Sequence, residues 1–419
     1  MLRVAIIGGG PSGMMAAIEA AKGIGRGIQS VTLFEQEPKL GRKLAVTGAG
    51  RCNLSNDGVQ ASAYHGPDID WIETLLERFA VEDLERVLYR LGIPICKTDD
   101  GWYYPLSQSA ASMVSILEER LVGQGVIMRV ATTVKRVSYS QERKFILSFT
   151  DNTSGQNYTE DFDKLIVATG GKSYPELGAK GRFFSQLEAL GHSINPLCPA
   201  LGPIDVRLGS FTALKGLRFD AHTAIYDGDE CLGRSFGNLI FTKNGLNGPG
   251  VMNLSHLVSQ NPKKSLELEL NFIGQWIEEL AETATDEANQ SSLRALLLRY
   301  FTPKAVDFFI SETGLKPNKQ VQQLTEADFQ HLFKTLSMAR FLITGAGDYS
   351  NSQLTAGGVA TEDLDPNTLE SKIVPGLFIV GEAIDVFGPC GGYNLHIAFA
   401  TAYLAGKTLA ESNNKFKET

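Results

Sequence analysis

The sequence has few of the residues that build disulfide frameworks and metal centres. Its 5 cysteines, Cys52, Cys96, Cys198, Cys231 and Cys390, are odd in number and widely spaced, with no C-x-x-C pair. That pattern excludes a dithiol motif, carries no metal site and fits a reducing compartment. Positive charge is in deficit as well: 39 Lys and Arg stand against 47 Asp and Glu, a net charge of −8. No general basic field is available to hold a nucleic-acid backbone by counterion release, so nucleic acid is not the expected partner. Long apolar runs are also missing. The most apolar stretch, Ile6 to Ala21, is interrupted by glycines, Pro11, Ser12 and Glu19, and falls short of the roughly 20 apolar residues of a membrane span. Met1 to Ile7 carries one basic residue and runs into an apolar strand without the h-region and cleavage site of a signal peptide. A cytoplasmic location is expected.

Glycine, by contrast, is abundant, with 43 of 419 residues, and it clusters in short stretches where the backbone must turn sharply or approach a ligand. Val4–Ile7 reads as a buried parallel strand, Met14–Lys22 as a helix that Gly23 ends in the left-handed conformation, and Val31–Phe34 as the next strand. Arg3 to Glu35 is thus a βαβ unit of the usual length of about 30 residues. Helical periodicity follows over Ile72–Leu91 and Ala110–Val122, then strands at Val126–Met128, Thr133–Val137 and Phe145–Phe149, the last two pairing as a meander. Leu165–Ala168, before Thr169-Gly170-Gly171, and Leu377–Val380, before Gly381-Glu382, read as parallel strands with their carboxyl ends aimed at a ligand.

The segment between those two strands is too long for one crossover. An inserted domain is expected over residues 194–343: a β-rich part over 194–273, then a helical part over 274–340 with runs such as Trp276–Ala284, Ser292–Tyr300 and Glu326–Leu336. The first domain is then discontinuous, 1–193 and 344–419. It is rejoined through Phe341–Thr344 and closed by a helix over Leu395–Ala410, with the glycine-rich run Ile343–Asp348 as a linker. The fold class is α/β.

Gly8-Gly9-Gly10-Pro11-Ser12-Gly13 is a G-x-G-x-x-G turn between strand and helix. Gly8 permits the tight turn, Gly10 lets a pyrophosphate approach, and Gly13 lets the helix pack closely on the strand, so that phosphates meet free N–H groups at a positive helix end. Glu35 follows the second strand at the roughly 20-residue spacing where a carboxylate accepts both ribose hydroxyls. The choice between NAD and FAD turns on the late segment Gly381–Asn394. There Glu382 at a strand end could hold ribityl hydroxyls, Asp385 follows, and Gly388–Asn394 opens a final helix whose N-terminus suits a ring that gains negative charge on reduction. Arg42, Lys43 and Arg51, in GRKLAVTGAGRCNLSN (Gly41 to Asn56), could offset pyrophosphate or ring charge, or could form a solvated basic turn.

These motifs resemble the BaiN-like, also YhiN-like, family of NAD(P)/FAD-dependent oxidoreductases, flavoproteins with a Rossmann-like FAD domain of the glutathione-reductase type carrying an insertion. The likeness runs through GRKLAVTGAGRCNLSN, VATGGKSYPELGAKG (Val167–Gly181), LTAGGV (Leu354–Val359) and GEAIDVFGPCGGYNLHIAFATAYLAG (Gly381–Gly406), with a weaker element around Phe241-Thr242 and Gly245–Pro249. It implies that Gly8, Gly10, Ser12, Gly13 and Glu35 hold the ADP half of FAD, with Val134 at the adenine. It places Arg42, Lys43, Gly50, Arg51, Asn53, Thr169 and Gly170 along the phosphates and flavin, and Gly381, Glu382, Asp385, Gly392, Tyr393 and Asn394 at the ribityl chain and ring. Two departures from the family pattern, Lys243-Asn244 in place of a histidine and His396 in place of a glutamine, fall on the presumed substrate side. No catalytic acid or base is assigned; His396 and Arg51 are weak candidates, and a packed histidine is the plainer reading of His396. Cys52 and Cys390 lie in flavin-proximal motifs but lack a second thiol nearby, which favours packing over redox chemistry.

The expected activity is hydride exchange between a small organic substrate and flavin N5, with the insertion as a lid and NAD(P)H or oxygen as the other redox partner. The family includes reductases and amino-ketone oxidases, so direction stays open. A flavin-bearing protein that modifies RNA is the alternative.

Overall fold

The computed structural model describes residues 1–285 and 290–411. The chain divides into two compact units, one formed by Met1–Cys198 with the chain from Leu354 onward, the other by Pro199–Gln353. Residues 412–419, placed by sequence in the first domain, lie outside the described residues.

The first unit is built on a parallel sheet of β1 (Leu2–Ile7), β2 (Ile28–Phe34), β3 (Ile127–Arg129), β4 (Lys164–Val167) and β5 (Leu377–Ile379), in the order β5-β4-β1-β2-β3. Parallel strands covered on both faces need apolar side chains in succession, and Val4, Ala5, Ile6, Leu33, Ile166 and Ile379 are all fully buried. Helix α1 (Pro11–Ala21) starts with proline, whose missing N–H costs nothing in a first turn, and is buried from Ser12 to Ala21. Helix α2 (Tyr393–Glu411) packs on it, and glycine at 406 permits the approach: a Cβ there would lie 2.6 Å from the Ala16 carbonyl oxygen.

Three local expectations are corrected. Gly23 does not end α1 in the left-handed conformation; it is absent from the positive-φ residues, and a Cβ there would lie 2.7 Å from Ile28 Cδ1 and 3.1 Å from Ala410 Cα. Close packing, not turn geometry, requires it. The run Ile72–Leu91 is two helices, Ile69–Arg78 and Val81–Arg90. Phe79 leaves the helix at φ −151°, ψ 86° and is fully buried, with its ring 5.0 Å from Tyr403 and 5.9 Å from His396. No proline or glycine marks that break. The meander has three strands, Thr132–Tyr139, Phe145–Asp151 and Asn157–Phe162, and forms its own antiparallel sheet.

In the second unit, six strands close a barrel in the order Ile204–Val206, Gly245–Asn247, Glu230–Phe241, Arg218–Asp227, Leu266–Asn271, Ala339–Ala346. Sequence periodicity separates a β part from a helical part; the structure gives both one core. Phe219, Phe241 and Phe341 of the barrel share a hydrophobic cluster with Phe272, just after strand Leu266–Asn271, Phe309 of helix Pro303–Thr313 and Leu336 of helix Glu326–Ser337. Ala339–Ala346 is the closing strand, paired with Leu266–Asn271 and Ile204–Val206, so Ile343–Ala346 is barrel, and the Gly347 N–H bonds the Pro203 carbonyl at 2.8 Å. Residues 344–353 therefore lie in the second unit and not the first, and residues 194–198, expected in the insertion, lie in the first. A short Gly- and Thr-bearing strand after a helix resembles a linker when its partners are remote in the chain.

Candidate active site

The carboxyl ends of β1, β2, β4 and β5 bring the glycine motifs of the first unit together. The Gly8 N–H bonds the Phe34 carbonyl at the end of β2, and the Ala168 N–H bonds the Ile7 carbonyl at the end of β1, each at 2.8 Å. Gly8 has φ +108°, and a Cβ on it would lie 2.3 Å from the Ala168 carbonyl oxygen; a Cβ on Gly13 would strike the Gly8 oxygen at 1.7 Å. Those two glycines serve the junction of strand and helix. Gly10 is different: its would-be Cβ meets nothing within 4 Å, as do those of Gly50 and Gly170. Their open sides supply room that the protein itself does not use.

Glu35 accepts the Gly9 N–H at 2.6 Å and the Glu37 N–H at 2.8 Å. Burial raises its pKa above the usual carboxylate value, and those two N–H groups pull it back. Its own backbone N–H bonds the Arg129 carbonyl, and its carbonyl accepts from Thr132 at 2.8 Å, tying the strand that carries half-buried Val134 to the end of β2. Arg42 is paired with Glu37 and donates to the Glu176 carbonyl at 3.1 Å, so neighbouring carboxylate charge offsets it.

The Gly41–Asn56 loop turns on consecutive left-handed residues, Gly48 (φ +57°), Ala49 (φ +56°) and Gly50 (φ +83°), followed by Cys52 at φ +65°. Lys43 Nζ lies 2.6 Å from Glu382 Oε2, both groups largely buried, and Glu382 Oε1 accepts the Thr355 N–H at 3.0 Å. Glu382 is aimed by Gly381, at φ +70°, whose N–H donates to Thr401 Oγ1 on α2 at 2.9 Å. Arg51 is exposed, its guanidinium 4.8 Å from the Tyr104 ring centroid, with Trp102 stacked beyond at 6.5 Å and close to Gly391. Asn53 is 7% exposed, and its Oδ1 has no hydrogen-bond partner among the described residues. A buried acceptor left unpaired costs about 1–3 kcal/mol. It stands where α2 begins: a Cβ on Gly392 would lie 2.7 Å from that oxygen and 2.4 Å from the Ser55 carbonyl oxygen.

Several expected site residues are engaged in hydrogen bonds within the protein. Asp385 accepts from Asn195 Nδ2 at 2.7 Å and from the Gly357 N–H at 3.1 Å, and burial raises its pKa. Asn394 spends its amide on the Gly388–Pro389 turn, accepting the Gly388 N–H at 2.7 Å and donating to the Gly388 carbonyl at 2.8 Å. Tyr393 donates to Asn56 Oδ1 at 3.2 Å. His396 is fully buried, Nε2 donating to the Phe79 carbonyl at 3.2 Å and Nδ1 accepting from the Ser55 hydroxyl at 3.0 Å. Burial drops its pKa to about 4, so it is neutral at physiological pH and has no proton to give outward. It is a core histidine. Cys52 and Cys390 are pushed up to about 12 by burial, far from thiolate chemistry. Sequence reasoning missed the Lys43–Glu382 pair and the Arg51–Tyr104–Trp102 stack. The aromatic run Trp102-Tyr103-Tyr104 was the available signal for the stack.

Among the described residues no helix is long and apolar enough to cross a membrane, and no His/Cys/Asp/Glu cluster could hold a metal ion. Comparison with known proteins agrees with the Rossmann sheet. The family model for the HI0933-like protein Rossmann domain matches residues 2–408. A 3-dehydro-bile acid delta(4,6)-reductase of Clostridium scindens is 32% identical over 417 residues, covering 98% of this chain and all of that one. A ribosomal RNA dihydrouridine synthase of Escherichia coli is 30% identical over 411 residues, covering 96% and 97%. Among solved structures, 3-ketosteroid delta1-dehydrogenase from Sterolibacterium denitrificans shares the fold with a TM-score of 0.53 at 11% identity, covering 98% of this chain and all of that one. The chain belongs to the HI0933-like family and is a flavin-dependent oxidoreductase built on a Rossmann fold.

Proposed function

We propose that the first unit holds FAD and that the chain exchanges a hydride between it and a small organic substrate, with NAD(P)H or oxygen as the other redox partner. The observation that carries this reading is complementary: Gly10, Gly50 and Gly170 open onto unused space, and Asn53 Oδ1 is a buried acceptor lacking a donor among the described residues. Those features fit the diphosphate and the ring edge of a dinucleotide. Gly8 would make the tight turn, Gly10, Ser12 and Gly13 would present the N–H groups at the start of α1 to the diphosphate, and Glu35 would accept the ribose hydroxyls. Lys43 fixes Glu382 for the ribityl side, and Asn53, Arg51, Gly392 and the start of α2 border the ring. Thr169, Gly170 and Gly381 supply turns at strand ends, while Arg42, Asp385, Tyr393 and Asn394 shape the loops behind them, and Val134 flanks the adenine side. Bound FAD would supply the two-electron chemistry; the chain's residues bind, orient and exclude water.

The reductase relative, matched end to end, supports an unsaturated ketone as the first substrate to test. The ribosomal RNA dihydrouridine synthase relative supports a second reading, in which the reduced group is a base of RNA. One portion of purified protein is denatured and the released flavin identified; a native portion is reduced anaerobically with NADH and NADPH and offered a 3-dehydro-4,6-unsaturated bile acid, unmodified ribosomal RNA or oxygen. Release of FAD and reoxidation by one acceptor is the expected result. Protein that takes up no FAD, or carries only FMN, overturns the reading; turnover with RNA alone selects the second.

A further inference from the structure

The second unit carries a cavity of about 270 Å³ on the outer face of its barrel, lined by Arg218, Asp220, His222, Phe236, Trp276 and Tyr300 among others. On strand Arg218–Asp227 the side chains alternate, Phe219 and Ala221 buried inward and Arg218, Asp220 and His222 exposed. Outward positions of a barrel strand are normally polar. Here the cross-strand partner of His222 is Phe236, 52% exposed with its ring centroid 4.6 Å from the imidazole. Trp276, 47% exposed, faces the same cavity with Tyr300 6.5 Å away. Neither Phe236 nor Trp276 belongs to the hydrophobic cluster of the unit, whose Phe219 and Phe272 floor the cavity. Aromatic walls left in solvent over an already filled core are surface that stability does not require.

The polar groups are equally ordered. Asn238 accepts from Arg218 Nη1 at 3.1 Å and donates to Asp220 Oδ1 at 3.0 Å, so one amide fixes a cation and a carboxylate at the rim. His222 is set by Gly274, where a Cβ would lie 2.3 Å from the imidazole Cδ2. Lys304, two residues past Thr302 of the cavity, is exposed and donates from Nζ to the Lys215 carbonyl at 3.5 Å. The volume lies just below the roughly 300–1,000 Å³ of drug-sized sites, which suits one small ring system.

We infer that this cavity is a nucleobase subsite: a base stacks on Phe236 and Trp276, its edge meets Asp220, and its phosphate faces Arg218. Aromatic faces beside a guanidinium are the general means by which proteins hold an unpaired base. The shared chemistry is that of a nucleotide, whether free, as in a nicotinamide dinucleotide, or within a single RNA strand. The subsite stands independently of the FAD reading, because its residues all lie in the second unit.

The test measures binding of AMP, UMP, NADPH and a 12-nucleotide single-stranded RNA to the flavin-loaded protein and to Phe236→Ala, Trp276→Ala and Arg218→Gln. Calorimetry serves for the nucleotides and fluorescence anisotropy for the RNA. Both aromatic variants should weaken binding about 5- to 150-fold, the range of one base–aromatic stack, with flavin content unchanged. Arg218→Gln should lower the salt dependence of RNA binding by about one phosphate contact. RNA binding much tighter than any nucleotide identifies a strand; equal or tighter NADPH binding identifies a free nucleotide. No saturable binding of any probe, or binding that both aromatic variants leave unchanged, overturns the subsite.

Discussion

Gly10 and Gly13 stand three residues apart in one turn, yet alanine should affect them in opposite ways. Gly10 caps α1 at φ −76°, ψ −174°, a conformation open to any L-residue, and its added Cβ meets nothing within 4 Å. Alanine is a poorer cap than glycine, but it also restricts the unfolded chain, which stabilises by about 0.4–1 kcal/mol. The apo protein should therefore keep its stability to within about 1 kcal/mol. If the diphosphate occupies that open side, the same methyl group displaces it from the N–H groups of α1. Losing two hydrogen bonds to a charged group, each worth about 1.5–3 kcal/mol, weakens FAD binding by at least about 100-fold. Gly13→Ala instead drives a Cβ to 1.7 Å from the Gly8 oxygen. Helix α1 must move off β1, and overpacking of this kind costs about 1–3 kcal/mol or more. The assay is paired: thermal unfolding of flavin-stripped protein, and FAD titration followed by quenching of flavin fluorescence. Wild-type FAD affinity in Gly10→Ala, or equal loss of apo stability in the two variants, would refute the assignment of this turn.

Asn53→Ala removes a buried acceptor that has no partner among the described residues. The apo form should lose little stability while FAD binding weakens by about 10-fold; a large apo destabilisation with unchanged FAD affinity would place the orphan oxygen in the core and not in a site. His396 carries a pH signature. Its folded pKa of about 4 lies below the ordinary 6.5, so as pH falls the unfolded chain takes up the proton first, and stability drops between pH 6.5 and about 4 by up to about 3 kcal/mol. Urea unfolding across that range should show the slope in the wild type and a flatter one in His396→Gln. Collapse of turnover in that variant at neutral pH, with stability intact, would restore a catalytic role to the imidazole.

Much of the βαβ unit that carries the candidate nucleotide turn was legible in the chain because it depends on local order. The G-x-G-x-x-G turn, the strand before it, the helix after it and Glu35 at the end of β2 all lie within one βαβ unit, where periodicity and glycine position carry the information. The strand-end motifs at Thr169-Gly170 and Gly381-Glu382 were likewise visible, since short apolar runs before glycine mark buried parallel strands. Tertiary structure decided what depends on distant partners. Lys43 meets Glu382 across 339 positions, and His396 meets Ser55 across 341. Burial from several elements at once turns that histidine from a candidate acid into a neutral core group, and leaves Asn53 with an oxygen that no described residue satisfies. Gly23 could have been a left-handed cap by position; only the approach of Ile28 and Ala410 shows that it makes room for packing. Ile343–Asp348 resembled a linker until the pairing of Ala339–Ala346 with Leu266–Asn271 and Ile204–Val206 placed its first residues in the barrel. Local sequence sets backbone propensity and turn chemistry, whereas burial, pairing and proton affinity are properties of neighbours that only the folded chain brings together.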